Sequence, residues 1–349
     1  MWPIIGHHRA VDLLRRSIAS GRISHAYLFQ GPPQVGKTSL AKAFAQALNC
    51  SGSESPCGEC RSCKAIDNGV HPDVRTIQIA ASDHDDELAD DGEASQPGKG
   101  SRRVITIGQI RSLQRDAALL PYEGRWKVYI IRNAENLNAE AANCLLKTLE
   151  EPPPSVVLIL TTVDAKILPV TIVSRCQQLA LGLLPLEEVR RALQEKWELD
   201  ADKANLLAHL SGGRLGWAID AASRTEALEE RLAGLARIDG LSESDKVERF
   251  KYAEETAATF GRNPDAVYSS LDLWLSWWRD ILLVRSGCPE LVTNVGSIAR
   301  LSVQANRYEI GQLCSFLSGV ELARIQLQQN VNARLAIEVM LLGMPQPVR

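Results

Sequence analysis

Residues 31 to 38 read Gly31-Pro32-Pro33-Gln34-Val35-Gly36-Lys37-Thr38. This octet fits G-x-x-x-x-G-K-[ST], in which backbone amides cradle phosphates, the lysine reaches the terminal ones and the hydroxyl faces Mg²⁺. All eight residues are candidate ligands for ATP or ADP. Hydrolysis needs more, because an Asp-Glu pair must follow a later apolar strand, one carboxylate for the metal and one for the attacking water. Here the strand Val128-Tyr129-Ile130-Ile131 runs into Arg132-Asn133, and neither residue is a carboxylate. Arg132 offers phosphate a partner in place of Mg²⁺, so weak binding without metal is the expectation. The residues predict a nucleotide holder poorly equipped to hydrolyse.

A second group of reactive side chains follows closely. Cys50, Cys57, Cys60 and Cys63 are spaced C-x₆-C-x₂-C-x₂-C among small turn residues. Two overlapping C-x-x-C turns suit tetrahedral Zn²⁺, and four thiolates leave no open position for catalysis, so such a site is structural. A disulfide pair suits a reducing compartment badly, and an Fe–S cluster rarely has this spacing. The other four of the eight cysteines, Cys144, Cys176, Cys288 and Cys314, sit in apolar or helical surroundings and read as small packing residues.

The elements that must position these groups follow from periodicity. Ala26-Tyr27-Leu28-Phe29 is a short apolar strand before the glycine-rich loop, and Ser39 to Leu48 is a helix after it. An amphipathic helix over 7–20 precedes them. Strands are expected at 74–79, 104–107, 128–131, 156–160 and 177–181. Helices are expected at 109–120 and 139–151, the second stopped by Pro152-Pro153-Pro154. Strands alternating with helices predict a parallel sheet covered on both faces. From 82 to 103 the chain is acidic and nearly free of apolar residues, which predicts a flexible surface loop. Beyond Pro185 only helices are expected. Leu271, Leu273, Trp274, Trp277, Trp278, Ile281 and Leu282 share one broad helical face. Such a stripe reads as packing before it reads as a base-stacking platform.

With 349 residues, two or three domains are expected. The apolar fraction of 45% and charged fraction of 23% are those of an ordinary globular chain. A net charge of −3 gives no global nucleic-acid signal, so any DNA contact must be a local patch. There is no long apolar run for a membrane span and no signal-peptide pattern in Met1-Trp2-Pro3-Ile4-Ile5-Gly6, which makes cytoplasmic placement the expectation.

The order of these pieces carries a resemblance. Glycine-rich loop, four-cysteine knuckle, Leu145-Leu146-Lys147-Thr148-Leu149-Glu150-Glu151-Pro152-Pro153 and Ser174-Arg175-Cys176 together resemble the bacterial sliding-clamp loaders of DNA polymerase III, which are AAA+ proteins. Asn330-Val331-Asn332-Ala333-Arg334-Leu335 is similar to the end of that family's helical collar. The resemblance implies an α/β AAA+ domain over 1–180, carrying the zinc module 50–63 and the loop 82–103. It further implies a helical lid over 181–240 and an all-α collar over 241–349. It makes Arg175 an arginine finger offered to a neighbouring subunit's nucleotide, and the chain an accessory subunit with no polymerase site of its own. Its partners would be gamma/tau and delta subunits in a hetero-pentamer, with the sliding clamp and primed DNA reached through that complex. The family's motor subunits show Asp-Glu where this chain has Arg132-Asn133. They also carry a sensor arginine at the place of Gly216, two residues after Arg214. A motor subunit with an unusual second motif is the alternative within the family, and a free-standing P-loop enzyme fits neither the cysteines nor the helical tail.

Overall fold

The computed structural model describes residues 2–79, 104–329 and 331–347. The expected acidic loop at 82–103 and Asn330 lie outside the described residues. The chain forms two units, the first built from 2–79, 104–185 and 214–216, the second from 186–213 and everything described from 217 onward.

In the first unit, α1 (His8–Ala19), β1 (Ala26–Gln30), α2 (Lys37–Asn49) and α3 (Arg61–Asp67) are followed by β2 (Val74–Ile77) and α4 (Ile107–Ala117). Then come β3 (Lys127–Ile131), α5 (Ala139–Glu150), β4 (Val156–Thr162), α6 (Val170–Val173) and β5 (Gln177–Ala180). All pairings are parallel, in the order β2-β3-β4-β1-β5. Parallel strands are covered on both faces, which is why β3 and β4 are buried along their whole length. Successive residues therefore serve opposite cores. Tyr27, Phe29, Val128, Ile130, Val157 and Ile159 pack with Leu14, Leu40 and Phe44 of α1 and α2. Ala26, Leu28, Tyr129, Ile131, Leu158 and Leu160 pack with Ile110, Leu113, Leu145 and Leu149 of α4 and α5. The glycine-rich loop leaves the C-terminal end of β1. A parallel sheet with helices on both faces is what the resemblance implied.

One expected strand is absent. Residues 104–107 contribute a single bridge, Ile105 to Leu137, and Ile107 already begins α4. Thr106 explains the switch, since its hydroxyl accepts from the Gln109 amide while the Gln109 side chain accepts from the Thr106 amide. That reciprocal capping box starts a helix where β-branched residues alone suggested a strand.

The second unit is helical throughout its described residues: α7 (Leu186–Trp197), α8 (Ala201–Ser211), α9 (Leu215–Ser223, entering from the first unit), α10 (Thr225–Glu243), α11 (Lys246–Arg262), α12 (Pro264–Arg285), α13 (Ile298–Ala305), α14 (Ile310–Gln328) and α15 (Ala333–Leu342). Asn263 caps α12 and Pro264 occupies its first turn, where no backbone donor is missed. Trp274 and Trp278 have no exposed surface, and Trp278 meets Phe316 edge to face at 4.9 Å. The Trp274 indole donates to Tyr252 Oη at 3.0 Å. The tryptophan stripe is core, with no face left for stacking bases. Leu235, Ile238 and Leu241 of α10 join the same core, so the expected boundary at 240 falls inside one packed helix. No helix among the described residues is long and apolar enough to cross a membrane.

Candidate nucleotide and metal sites

The loop from Gly31 to Thr38 is shaped by positive backbone angles at Gly31, Gln34 and Gly36. At Gly31 a Cβ would lie 2.1 Å from the Leu181 carbonyl oxygen, so only glycine lets the loop pass the end of β5. Gly36, at φ 104°, opens α2, whose first amides point at the anion position. His7 Nε2 donates to Val35 O at 2.8 Å and pins the far side of the loop. Gly216 donates its amide to Gln34 O at 2.8 Å, and a Cβ there would sit 2.7 Å from that oxygen. Position 216 therefore has no room for the sensor arginine that the resemblance would place there.

Lys37 is 8% exposed and donates to Gly31 O and Pro32 O at 2.5 and 2.8 Å. Burial lowers its pKa to about 8, against an upward pull from the Glu135 carboxylate. Glu135 is thus an electrostatic neighbour of the loop lysine, and inspection of the strand end alone misses it. Asn133 takes a left-handed conformation, φ 51°, and starts a short 3-10 turn, Ala134–Asn136, that carries Glu135. Asparagine tolerates that conformation better than most residues. Burial raises the Glu135 pKa, while the Thr162 hydroxyl and the Val163 backbone pull it down. Thr162 ends β4 and accepts from the Gly31 amide at 3.2 Å, which ties this corner to the loop. A usable signal was an acidic residue a few positions beyond the strand, two after an Asn. Arg132 behaves otherwise than expected. It is exposed, and its guanidinium donates to Gln78 Oε1 at 2.7 Å, on the β2 side of the sheet and away from β1.

Cys50, Cys57, Cys60 and Cys63 bring their sulfurs within 4.8 Å of one another. Cys50 follows the last turn of α2, and Cys60 caps α3 by accepting from the Cys63 amide. Cys50 and Cys60 Sγ are 4.0 Å apart, against the about 3.8 Å edge of a tetrahedron with metal–sulfur bonds near 2.3 Å. Amides of Gly52 and Cys60 donate to the sulfurs of Cys50 and Cys57, both at 3.3 Å, a pattern that supports thiolate charge. Burial works against the Cys60 thiolate, but the Cys63 and Ser51 amides outweigh it and bring its pKa to about 6. Buried Cys63 is pushed up to about 12. Four soft donors at these separations can hold a metal ion.

Arg175 stands apart from both sites. Its guanidinium pairs with Glu150 Oε1 at 2.8 Å and donates to Thr171 O at 2.9 Å, with the side chain about a third exposed. It precedes β5, an edge strand in which Gln177 pairs with Tyr27. Gly31 lies four residues past Tyr27, roughly 13 Å further at 3.3 Å per strand residue. Arg175 and the chain's own loop thus occupy opposite ends of the sheet. Cys176 beside it is buried enough that its pKa rises to about 12, which suits a packing residue.

Known proteins similar to this chain include subunits of one bacterial replication enzyme and proteins related to them. The tau subunit of DNA polymerase III from Escherichia coli is 36% identical over 193 residues, 55% of this chain and 27% of that protein. This chain spans about a quarter of the length of such tau relatives. The delta' subunit from Bacillus subtilis is 29% identical over 339 residues, covering 96% of this chain and 94% of that one. A solved gamma-subunit-related protein from Thermotoga maritima aligns over 95% of this chain and 97% of that one, at 20% identity and a TM-score of 0.42. The family described as DNA polymerase III, delta subunit, matches residues 6–184, just over half of the chain. The chain belongs to the DNA polymerase III delta subunit family.

Proposed function

We propose that this chain is the delta-prime subunit of a bacterial clamp loader, a non-motor AAA+ subunit that helps place the sliding clamp on primed DNA. The observation that carries the reading is a complete phosphate loop facing a β3 end with Arg132-Asn133 in place of Asp-Glu. Relatives agree with it, because the delta' protein of Bacillus subtilis matches along nearly the whole chain while the tau protein matches over little more than half of it. Gly31 to Thr38 bind ATP or ADP, and the subunit hydrolyses it negligibly. The four cysteines hold structural Zn²⁺, which closes the α2–α3 connection and supplies no catalysis. Arg175 is an arginine finger for a neighbouring subunit, a role supported by its distance from the chain's own loop. The helices after residue 185 form lid and collar, and the partners are gamma/tau and delta subunits. Placement is cytoplasmic.

Reconstitution tests this. The purified chain with ATP and Mg²⁺ is expected to show negligible turnover, and to restore clamp loading when added to gamma/tau and delta subunits as one copy of a pentamer. Robust turnover by the chain alone, abolished by Lys37→Ala, would instead make it a motor subunit.

A further inference from the structure

A nucleotide in a P-loop brings several negative charges into a pocket lined by one lysine. The second cation is normally a divalent metal, held by the loop hydroxyl and by a carboxylate at the strand end. This chain has the hydroxyl, Thr38, and lacks the carboxylate at the expected position. One turn further on it has Glu135.

Three observations single Glu135 out. Its Oε2 is shielded from solvent and has no hydrogen-bond partner. An orphaned buried acceptor is costly, and more so if charged, so such an atom needs a reason. The turn that carries it is pinned: the Asn133 amide donates to Thr161 Oγ1 at 3.0 Å, the Asn136 amide to Asn133 O at 2.8 Å, and the Ile105 amide to Asn136 O at 2.8 Å. Its surroundings are also those of the loop, since Lys37 and Thr162 both act on the carboxylate and the Thr162 carbonyl holds the Gly31 amide. A purely structural acid would be expected to complete an ion pair with Lys37. Instead the Lys37 ammonium is spent on Gly31 O and Pro32 O.

We propose that Glu135 supplies the carboxylate for a divalent cation on a nucleotide bound at Gly31–Thr38, with the Thr38 hydroxyl as its companion ligand. The inference rests on the nucleotide-binding reading of the loop. It adds that binding depends on metal, contrary to what Arg132 suggested. It also explains how binding and turnover separate: Glu135 serves the cation, and Arg132-Asn133 leave no carboxylate at the strand end to polarise water.

The test measures the affinity of a fluorescent ADP for the full chain in Mg²⁺ and in EDTA. In the wild type, EDTA is expected to weaken binding at least about tenfold, the scale of losing a metal-orienting group. Glu135→Gln, nearly isosteric, should weaken Mg²⁺-nucleotide binding by about tenfold or more, yet leave binding in EDTA unchanged or tighter, because an anion near the phosphates is gone. Mn²⁺ electron paramagnetic resonance on the nucleotide complex provides a readout independent of the variant's folding, in which nucleotide-dependent Mn²⁺ immobilisation is expected in the wild type. Equal losses in Mg²⁺ and EDTA, or none, would assign Glu135 a structural role and overturn the inference while the loop still binds nucleotide. If the wild type binds no nucleotide under either condition, the loop reading fails together with this one.

Discussion

Sulfur geometry at Cys50, Cys57, Cys60 and Cys63 is a residue-scale property with a residue-scale test. Purified chain should contain about one zinc per molecule by elemental analysis, since four thiolates at these separations close a tetrahedral site. Cys60→Ser should lose that metal and lower the melting temperature of the first unit, because Cys60 caps α3 and would also be one of the four ligands. A metal-free wild type of unchanged stability would refute the site. Local chemistry of this kind was readable in the sequence because ligand spacing and loop spacing are local quantities. Glu135 was not readable in the same way. Its reach depends on the left-handed turn at Asn133 and on Thr161 one strand away, neither of which a linear motif records. Arg132 failed for the same reason, since its partner Gln78 lies beyond the adjacent strand.

At the scale of elements, the strands of the sheet were legible from apolar runs and their parallel pairing from the alternation with helices, while the order β2-β3-β4-β1-β5 came only from the structure. The start of α4 was not, because Thr106 and Gln109 cap each other and override β-branched composition. The end of α4 carries the most consequential polar contact of the sheet. Asp116 accepts from Tyr129 Oη at 2.6 Å and from Lys127 Nζ at 3.0 Å, with Arg75 3.7 Å away, and Lys127 is 4% exposed. Burial alone would raise the Asp116 pKa, yet the hydrogen bonds from Tyr129 and Lys127 outweigh it and hold the carboxyl below its usual 3.8. A depressed carboxyl stabilises the fold above the unfolded-state value, and that contribution is lost as pH falls through the folded one. Asp116→Asn should therefore cost about 1.5–3 kcal/mol at neutral pH, the worth of hydrogen bonds to a charged group. Measured by thermal or urea denaturation, its deficit should begin to shrink as pH falls below about 4 and should vanish only below the lower folded-state value, where the wild-type carboxyl is also neutral. A deficit that stays constant down to pH 2 would mean that charge is not what Asp116 contributes.

For the whole molecule, the sheet itself separates two chemistries. A parallel sheet puts every loop that follows a strand at one end and every segment that precedes a strand at the other. The phosphate loop follows β1 and Arg175 precedes β5, so one chain cannot use both on one nucleotide. A guanidinium at the far end is useful to a second molecule, where it can neutralise charge developing on a transferred phosphoryl group. Arg175→Ala should leave folding, metal content and nucleotide binding of this chain unchanged. In the reconstituted assembly it should slow turnover at the adjoining subunit's site by roughly 10³ or more, seen as loss of that site's share of DNA-stimulated hydrolysis and as slower clamp loading. Arg175→Lys should rescue poorly, because a point charge does not reproduce the planar fork. Glu150 makes the experiment decisive, since its 2.8 Å pair with Arg175 is the contact a merely structural arginine would exist to make. In that case Glu150→Gln and Arg175→Ala would share one modest stability loss, and both assemblies would hydrolyse ATP and load clamps at the wild-type rate. A trans finger predicts the opposite pattern: Glu150→Gln leaves the guanidinium in place and most of the turnover with it, while Arg175→Ala removes the adjoining site's activity.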